Sequence, residues 1–77
     1  MRVEIFCERN SPSDEIIIIH EVLTKVGSSV EKDQPLLIAE GAKSLFEIVA
    51  PIDGVVAELN VVSGNSVKIG DLLVVIE

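Results

Sequence analysis

The chain has 77 residues, 48% of them apolar, yet only Phe6 and Phe46 are aromatic. Thirteen acids against six bases leave a net charge of −7, which disfavours nucleic acid and anionic membrane as partners, because both need a basic face. A chain this short buries only about 60% of its unfolded surface and has little room for an interior active site, so a non-catalytic carrier, binding or structural module is expected rather than an enzyme. A single cysteine, Cys7, excludes an internal disulfide, and Cys7 with His20 does not make up a closed zinc site; no metal site is expected. No apolar run reaches the length of a membrane span. The opening residues Met1-Arg2-Val3-Glu4 lack the apolar stretch of a secretory signal, so a cytoplasmic setting is the expectation.

The chain reads as strands throughout. Val3-Glu4-Ile5-Phe6 alternates apolar and polar. Ile16 to Ile19 is a continuous β-branched run that carries on to Leu23, followed by Leu36-Leu37-Ile38, Leu45 to Val49, Val55 to Val62 and Leu72 to Ile76. Breakers separate them: Ser11-Pro12-Ser13-Asp14, Gly27-Ser28-Ser29, Pro35, Gly41, Pro51-Ile52-Asp53-Gly54, Gly64-Asn65 and Gly70-Asp71. Short strands with regular turn signals predict an all-β sandwich or barrel in one domain over 1–77. No segment holds a helical period with caps.

An internal repeat organises these strands. A shift of 37 residues lays Glu21–Glu40 on Glu58–Glu77, with identities at Glu21/Glu58, Gly27/Gly64, Ser29/Ser66, Val30/Val67, Leu36/Leu73 and Glu40/Glu77. Each half reads as strand, Gly turn, short Val-centred strand, turn and apolar strand. Neither half is large enough to close a core alone, so two interlocked halves related by a pseudo-twofold axis are expected.

The repeat also isolates the segment beyond Glu40. There the chain turns through Gly41-Ala42-Lys43-Ser44 and returns as a strand, which places Lys43 at the tip of a hairpin. An ammonium in water lacks the burial that catalytic lysines use. Such a position suits presentation of the amine to another protein. The bland alternative is a solvated turn lysine, and the flanking residues argue against it.

These flanks are Val26-Gly27 and Val30 before the centre, Glu40-Gly41-Ala42-Lys43-Ser44 at it, and Glu47-Ile48-Val49-Ala50-Pro51 and Gly54-Val55-Val56 after it. Together they resemble lipoyl domains, the swinging-arm carriers of 2-oxo acid dehydrogenase complexes, and the related biotin carrier domains. The resemblance runs from Val3 to Glu77. It implies a flattened β-barrel, a barrel-sandwich hybrid of two four-stranded antiparallel sheets. It implies lipoate in amide linkage to Lys43, with Glu40, Gly41, Ala42, Ser44, Gly27 and Gly54 serving recognition by the modifying enzyme and the turn geometry. Simple structural roles stand beside these. Gly27, like its repeat counterpart Gly64, suits a turn needing φ > 0, Asp53-Gly54 is a turn signal, and Glu40 ends a strand as Glu77 does.

Biotin carriers resemble Ala-Met-Lys-Met around the lysine, whereas this chain has Ala42 and Ser44 and no Met beyond Met1. Lipoyl domains most often resemble Asp-Lys-Ala at the turn. Here Ala42 replaces that Asp and removes a side chain able to hydrogen-bond its own turn. The first loop, with Glu8, Arg9, Asn10, Ser11 and Asp14, departs from the family's shorter passage. By resemblance it lies near the lysine hairpin and helps a partner enzyme choose its domain. Cys7 reads as an inert, partly buried thiol and His20 as a packed or half-exposed strand residue.

Lipoate is the expected group and biotin the alternative. The implied partners are a lipoate ligase or lipoyl transferase, a thiamine-diphosphate decarboxylase, an acyltransferase core and a flavin dehydrogenase, reached by a monomeric domain that is part of a larger acyltransferase subunit or, alternatively, a free-standing carrier. The setting is cytoplasmic, or the mitochondrial matrix in a eukaryote. The alternatives are a biotin carrier of a carboxylase or decarboxylase, and an unmodified module like the lipoyl-like hairpins of membrane-fusion adaptors.

Overall fold

The computed structural model describes all 77 residues, in eight strands and no helix. The strands are β1 (Val3–Phe6), β2 (Ile16–Val22), β3 (Ser29–Val30), β4 (Pro35–Glu40), β5 (Leu45–Val49), β6 (Gly54–Leu59), β7 (Ser66–Lys68) and β8 (Leu72–Ile76). Two antiparallel four-stranded sheets result, in the orders β1-β8-β6-β3 and β5-β4-β2-β7. The two orders coincide when β1, β8, β6 and β3 are exchanged for β5, β4, β2 and β7, which is the expected pseudo-twofold.

The symmetry extends to irregularities. In β2 the register slips between Ile19 and Glu21, making His20 the extra residue, and in β6 it slips between Val56 and Glu58, making Ala57 the extra residue, 37 positions on. Leu36 in β4 and Leu73 in β8 are a second such pair. The Gly27 N–H donates to the Val56 carbonyl (2.8 Å), and the Gly64 N–H donates to the Ile19 carbonyl (2.7 Å). Both glycines sit at φ 92°, as the repeat predicts.

The strand beyond Glu40, unrepeated in sequence, has a structural counterpart. β1 pairs with β8 as β5 pairs with β4: Glu4 opposes Val75 and Glu47 opposes Ile38. The pseudo-twofold therefore carries the Gly41–Ser44 turn onto the place where the two ends of the described chain meet. Two expected strands were too long: the run from Ile16 to Leu23 ends at Val22. Val55–Val62 ends at Leu59, because Asn65 Oδ1 accepts the Val62 N–H (2.8 Å) and folds 62–65 into a turn, while Val61 drops into the core.

Ile17, Ile19, Leu36, Leu37 and Ala39 from one half, and Val56, Leu73, Val74 and Ile76 from the other, form one buried cluster. Each larger side chain buried there stabilises the fold by about 1.5–3 kcal/mol. The Ile16–Ile19 run is not buried on both faces: Ile17 and Ile19 face the core, while Ile16 and Ile18 are exposed.

The repeat also exposes a local strain. Gly70 has φ 96°, and its counterpart is Asp33, the one non-glycine residue with positive φ (71°). A left-handed backbone costs an L-residue about 1–2 kcal/mol, less for Asp, and glycine removes that cost at some expense in unfolded-chain entropy. Asp33→Gly is therefore expected to stabilise the domain by about 0.5–1 kcal/mol in urea unfolding.

Candidate functional site

β4 and β5 pair Glu40 with Leu45, which leaves Gly41–Ser44 as the turn. The Gly41 N–H donates to the Ser44 carbonyl at 3.0 Å. Ala42, Lys43 and Ser44 are exposed. The ion pairs of the molecule all belong to Arg2, so the Lys43 ammonium carries none. An amine that must enter another protein's active site and be acylated there fits this placement: it is at the tip, in water, and no side chain of its own domain competes for it.

The turn is held from behind by a residue 28 positions earlier. Asp14 is buried, with 1% of its surface exposed. Its Oδ1 accepts the Ala42 N–H at 2.7 Å, and its Oδ2 accepts the Ser11 N–H at 2.9 Å and the Asn10 N–H at 3.0 Å. These bonds, that from Ala42 foremost, hold the carboxyl below its ordinary range, since they favour the charged form. The acceptor that Ala42 does not supply to the turn thus comes from the first loop.

Asp14 belongs to the expected docking loop, and the structure corrects its role: it faces inward as a clamp and is not a surface a partner reads. Glu8, Arg9 and Asn10 remain exposed and Ser11 is half-buried. Arg9 Nη1 donates to the Asp14 carbonyl (3.2 Å), and Asn10 Nδ2 lies 3.5 Å from Ser44 Oγ. Loop and hairpin therefore form one face, as expected. A groove of about 450 Å³ runs from this loop between the edge strands β1 and β5, with Phe6 and Phe46 in its lining.

Gly41 and Gly54, expected to serve recognition and turn geometry, are both positions where the backbone is closely approached. A Cβ on Gly41 would stand 2.7 Å from Asp14 Oδ1, so glycine there admits the clamp. Gly54 does not serve an Asp-Gly turn. It opens β6 opposite Val30, and a Cβ there would stand 2.6 Å from the Glu77 carbonyl oxygen. Asp53 instead accepts the Lys32 N–H at 2.7 Å. Glu40 is exposed on the outer face of its sheet. Cys7 is buried, and that burial pushes its thiol up, the condition of an unreactive cysteine. His20 is exposed at its bulge.

The chain is similar to known proteins over most of its length. The model of the biotin/lipoyl family, described as biotin-requiring enzyme, matches residues 11–76. Pyruvate carboxylase of Staphylococcus aureus is 44% identical over 77% of this chain and 5% of its own length. The dihydrolipoyllysine-residue acetyltransferase component of the pyruvate dehydrogenase complex of Mycoplasma capricolum is 41% identical over 77% of this chain and 14% of its own. The biotin carboxyl carrier protein of Streptococcus mutans is 45% identical over 75% of this chain and 45% of its own. The chain thus spans less than half the length of each of these curated relatives. The solved lipoyl domain of the 2-oxoglutarate dehydrogenase complex of Azotobacter vinelandii superimposes with a TM-score of 0.83 over 97% of this chain and 95% of that one, at 27% identity. With the same two-sheet fold, a lysine alone at the tip of the central hairpin and a family match over nearly the whole chain, this protein is a member of the biotin/lipoyl attachment domain family, a carrier module with no catalysis of its own.

Proposed function

We propose that Lys43 carries lipoate in amide linkage and that the domain shuttles acyl groups and reducing equivalents between active sites of a 2-oxo acid dehydrogenase complex. The observation that carries this reading is the unpaired, exposed Lys43 on a turn braced by the buried Asp14. When bound, lipoate supplies a dithiolane that accepts an acyl group together with two electrons. The protein's part is positional. Lys43 provides the nitrogen, the short turn holds its stem away from the sheets, and tethering raises the effective concentration of the arm at each partner. Amidation also removes a positive charge, which leaves an already acidic domain more so. The decarboxylase, acyltransferase and flavin dehydrogenase would meet the face formed by the hairpin with Glu8, Arg9 and Asn10.

The absence of methionine on either side of Lys43 and the likeness to a lipoyl domain over 97% of the chain support lipoate. The 44% and 45% identities to a carboxylase and a biotin carrier support the second reading, biotin on the same lysine. Incubation with ATP, lipoate and lipoate ligase, and separately with biotin and biotin ligase, followed by intact-mass measurement, decides between them. A single lipoyl adduct is the expected result; a biotin adduct alone would sink the lipoyl reading. In the double variant Ala42→Met, Ser44→Met the adduct is expected to shift toward biotin.

A further inference from the structure

The two edges of the sandwich differ. At one, the short strands β3 and β7 bury their inward residues, Val30 and Val67. At the other, β1 and β5 stand apart, and the groove between them leaves Ile5, Phe46 and Ile48 only half-buried against the core. Apolar surface left open in this way contributes nothing to the fold until something covers it.

The pseudo-twofold runs through this groove. Under it, Arg2, Val3, Glu4, Ile5 and Phe6 take the places of Leu45, Phe46, Glu47, Ile48 and Val49. The two ends of the groove therefore share a backbone but not their side chains. The end of β1 that runs into the first loop lies beside the end of β5 that leaves the hairpin, because Asn10 and Asp14 of that loop touch Ser44 and Ala42. Phe6 and Phe46 thus both stand at the hairpin end, and their smaller counterparts Val49 and Val3 both stand at the far end. These are the two aromatic residues of the chain. Phe6 keeps 46% of its surface exposed, so burial in the core does not account for its place. Arg9 and Asn10 complete the lining at this end, and Asn10 also reaches the hairpin.

We propose that this groove is a resting site for the acyl arm on Lys43, entered past Ser44 and Asn10, with the saturated chain of the arm lying over Phe46 and Phe6. The inference rests on the lipoyl reading, and the residues present fit the group. Lys43 stands three residues before Phe46, about 10 Å of extended strand. A lysine carrying an eight-carbon acyl chain reaches roughly 14 Å from its Cα by ordinary bond lengths. The groove, of about 450 Å³, is of small-molecule size, apolar at its floor and polar at its rim. Sulfur at the end of the chain is favoured beside aromatic rings. Tethering gives the arm an effective concentration of about millimolar at the groove, so a weak site is filled much of the time and still releases its occupant. The same residues supply a cause for release. Arg9 and Asn10 belong both to the groove and to the face proposed for partner enzymes, so a partner that covers them displaces the arm.

Nuclear magnetic resonance of the lipoylated domain beside the unmodified one tests this. Attachment is expected to shift the ring signals of Phe6 and Phe46 and the methyl signals of Ile48, and to leave Val3 at the far end unmoved. Nuclear Overhauser contacts should join the arm methylenes to both rings. Octanoate attached in place of lipoate keeps the chain without the sulfur ring and should reproduce the contacts. An arm docked two-thirds of the time multiplies the folding equilibrium constant about threefold, so lipoylation should raise the melting temperature by about 3–5 °C. In Phe6→Ala, with its fold checked by circular dichroism, that rise should fall below about 1 °C, whereas Val49→Ala at the far end should keep it. Shifts confined to Ala42, Lys43 and Ser44 in the wild-type domain, with no contact from the arm to either ring, overturn the proposal and leave the carrier reading intact. An equal rise in Phe6→Ala and wild type does the same. A domain that lipoate ligase leaves unmodified overturns the lipoyl reading and this inference with it.

Discussion

A Lys43→Arg domain is expected to melt as wild type does and to keep its unmodified mass under both ligases. The side chain is exposed, forms no ion pair and contributes no hydrogen bond to the turn, which is held by its own backbone, by Asp14 and by Asn10. Removal of its amine should therefore change stability by no more than about 0.5 kcal/mol. The guanidinium keeps the charge and length but is a far weaker nucleophile toward an activated acyl group, so the loss of modification is total rather than graded. Lys25, Lys32 and Lys68 are also exposed and serve as built-in controls. None occupies the β4–β5 turn, and an adduct on any of them in the variant would show that the ligase reads something other than this hairpin.

Asp14→Asn is the change with the largest expected effect on the fold near the site. One carboxylate satisfies three backbone N–H groups, and an amide that offers one oxygen turns its NH₂ toward at least one of them. The melting temperature is expected to fall by roughly 5–15 °C. The Ala42 amide should lose its protection from hydrogen exchange whenever the amide group faces it. The effect has a pH signature. Because the folded carboxyl titrates below its ordinary range of about 3.9, its contribution is complete above that value and disappears as pH falls through the lower, folded value. Wild type should thus lose stability on acidification below about pH 4 more steeply than Asp14→Asn, which lacks this titration. Equal acid dependence in the two proteins would show that Asp14 is not the clamp.

How far these residues can be read without coordinates differs by the range of the interaction. Gly27 and Gly64 are legible because a turn needing positive φ is a local demand, and the same demand met at the same spacing marks the repeat. β1, β5 and β8 are legible to the residue, since alternation and β-branching act within a strand. Lys43 is legible because a break after Glu40 and a return at Leu45 leave only four residues for the turn. Asp14 is not. A Ser-Pro-Ser-Asp stretch has the composition of a solvated loop, and nothing local says that its acid will meet a backbone amide 28 residues on. Gly41 and Gly54 pass for turn glycines for the same reason: a glycine needed for close approach looks in sequence like a glycine needed for φ.

Strand pattern, turn chemistry and repetition are carried by neighbours along the chain, so the amino-acid order alone was enough to define an all-β domain of two similar halves with one lysine at a hairpin turn. How the two halves differ was decided in three dimensions. Symmetric positions have the same backbone, so the difference lies in which side chains cross the sheet: Arg2 draws together Glu4, Glu58 and Glu77, whereas Leu45 leaves Glu47, Glu21 and Glu40 open. That choice joins residues up to 75 positions apart, and it pairs the acids of one face while leaving those of the other without a cation.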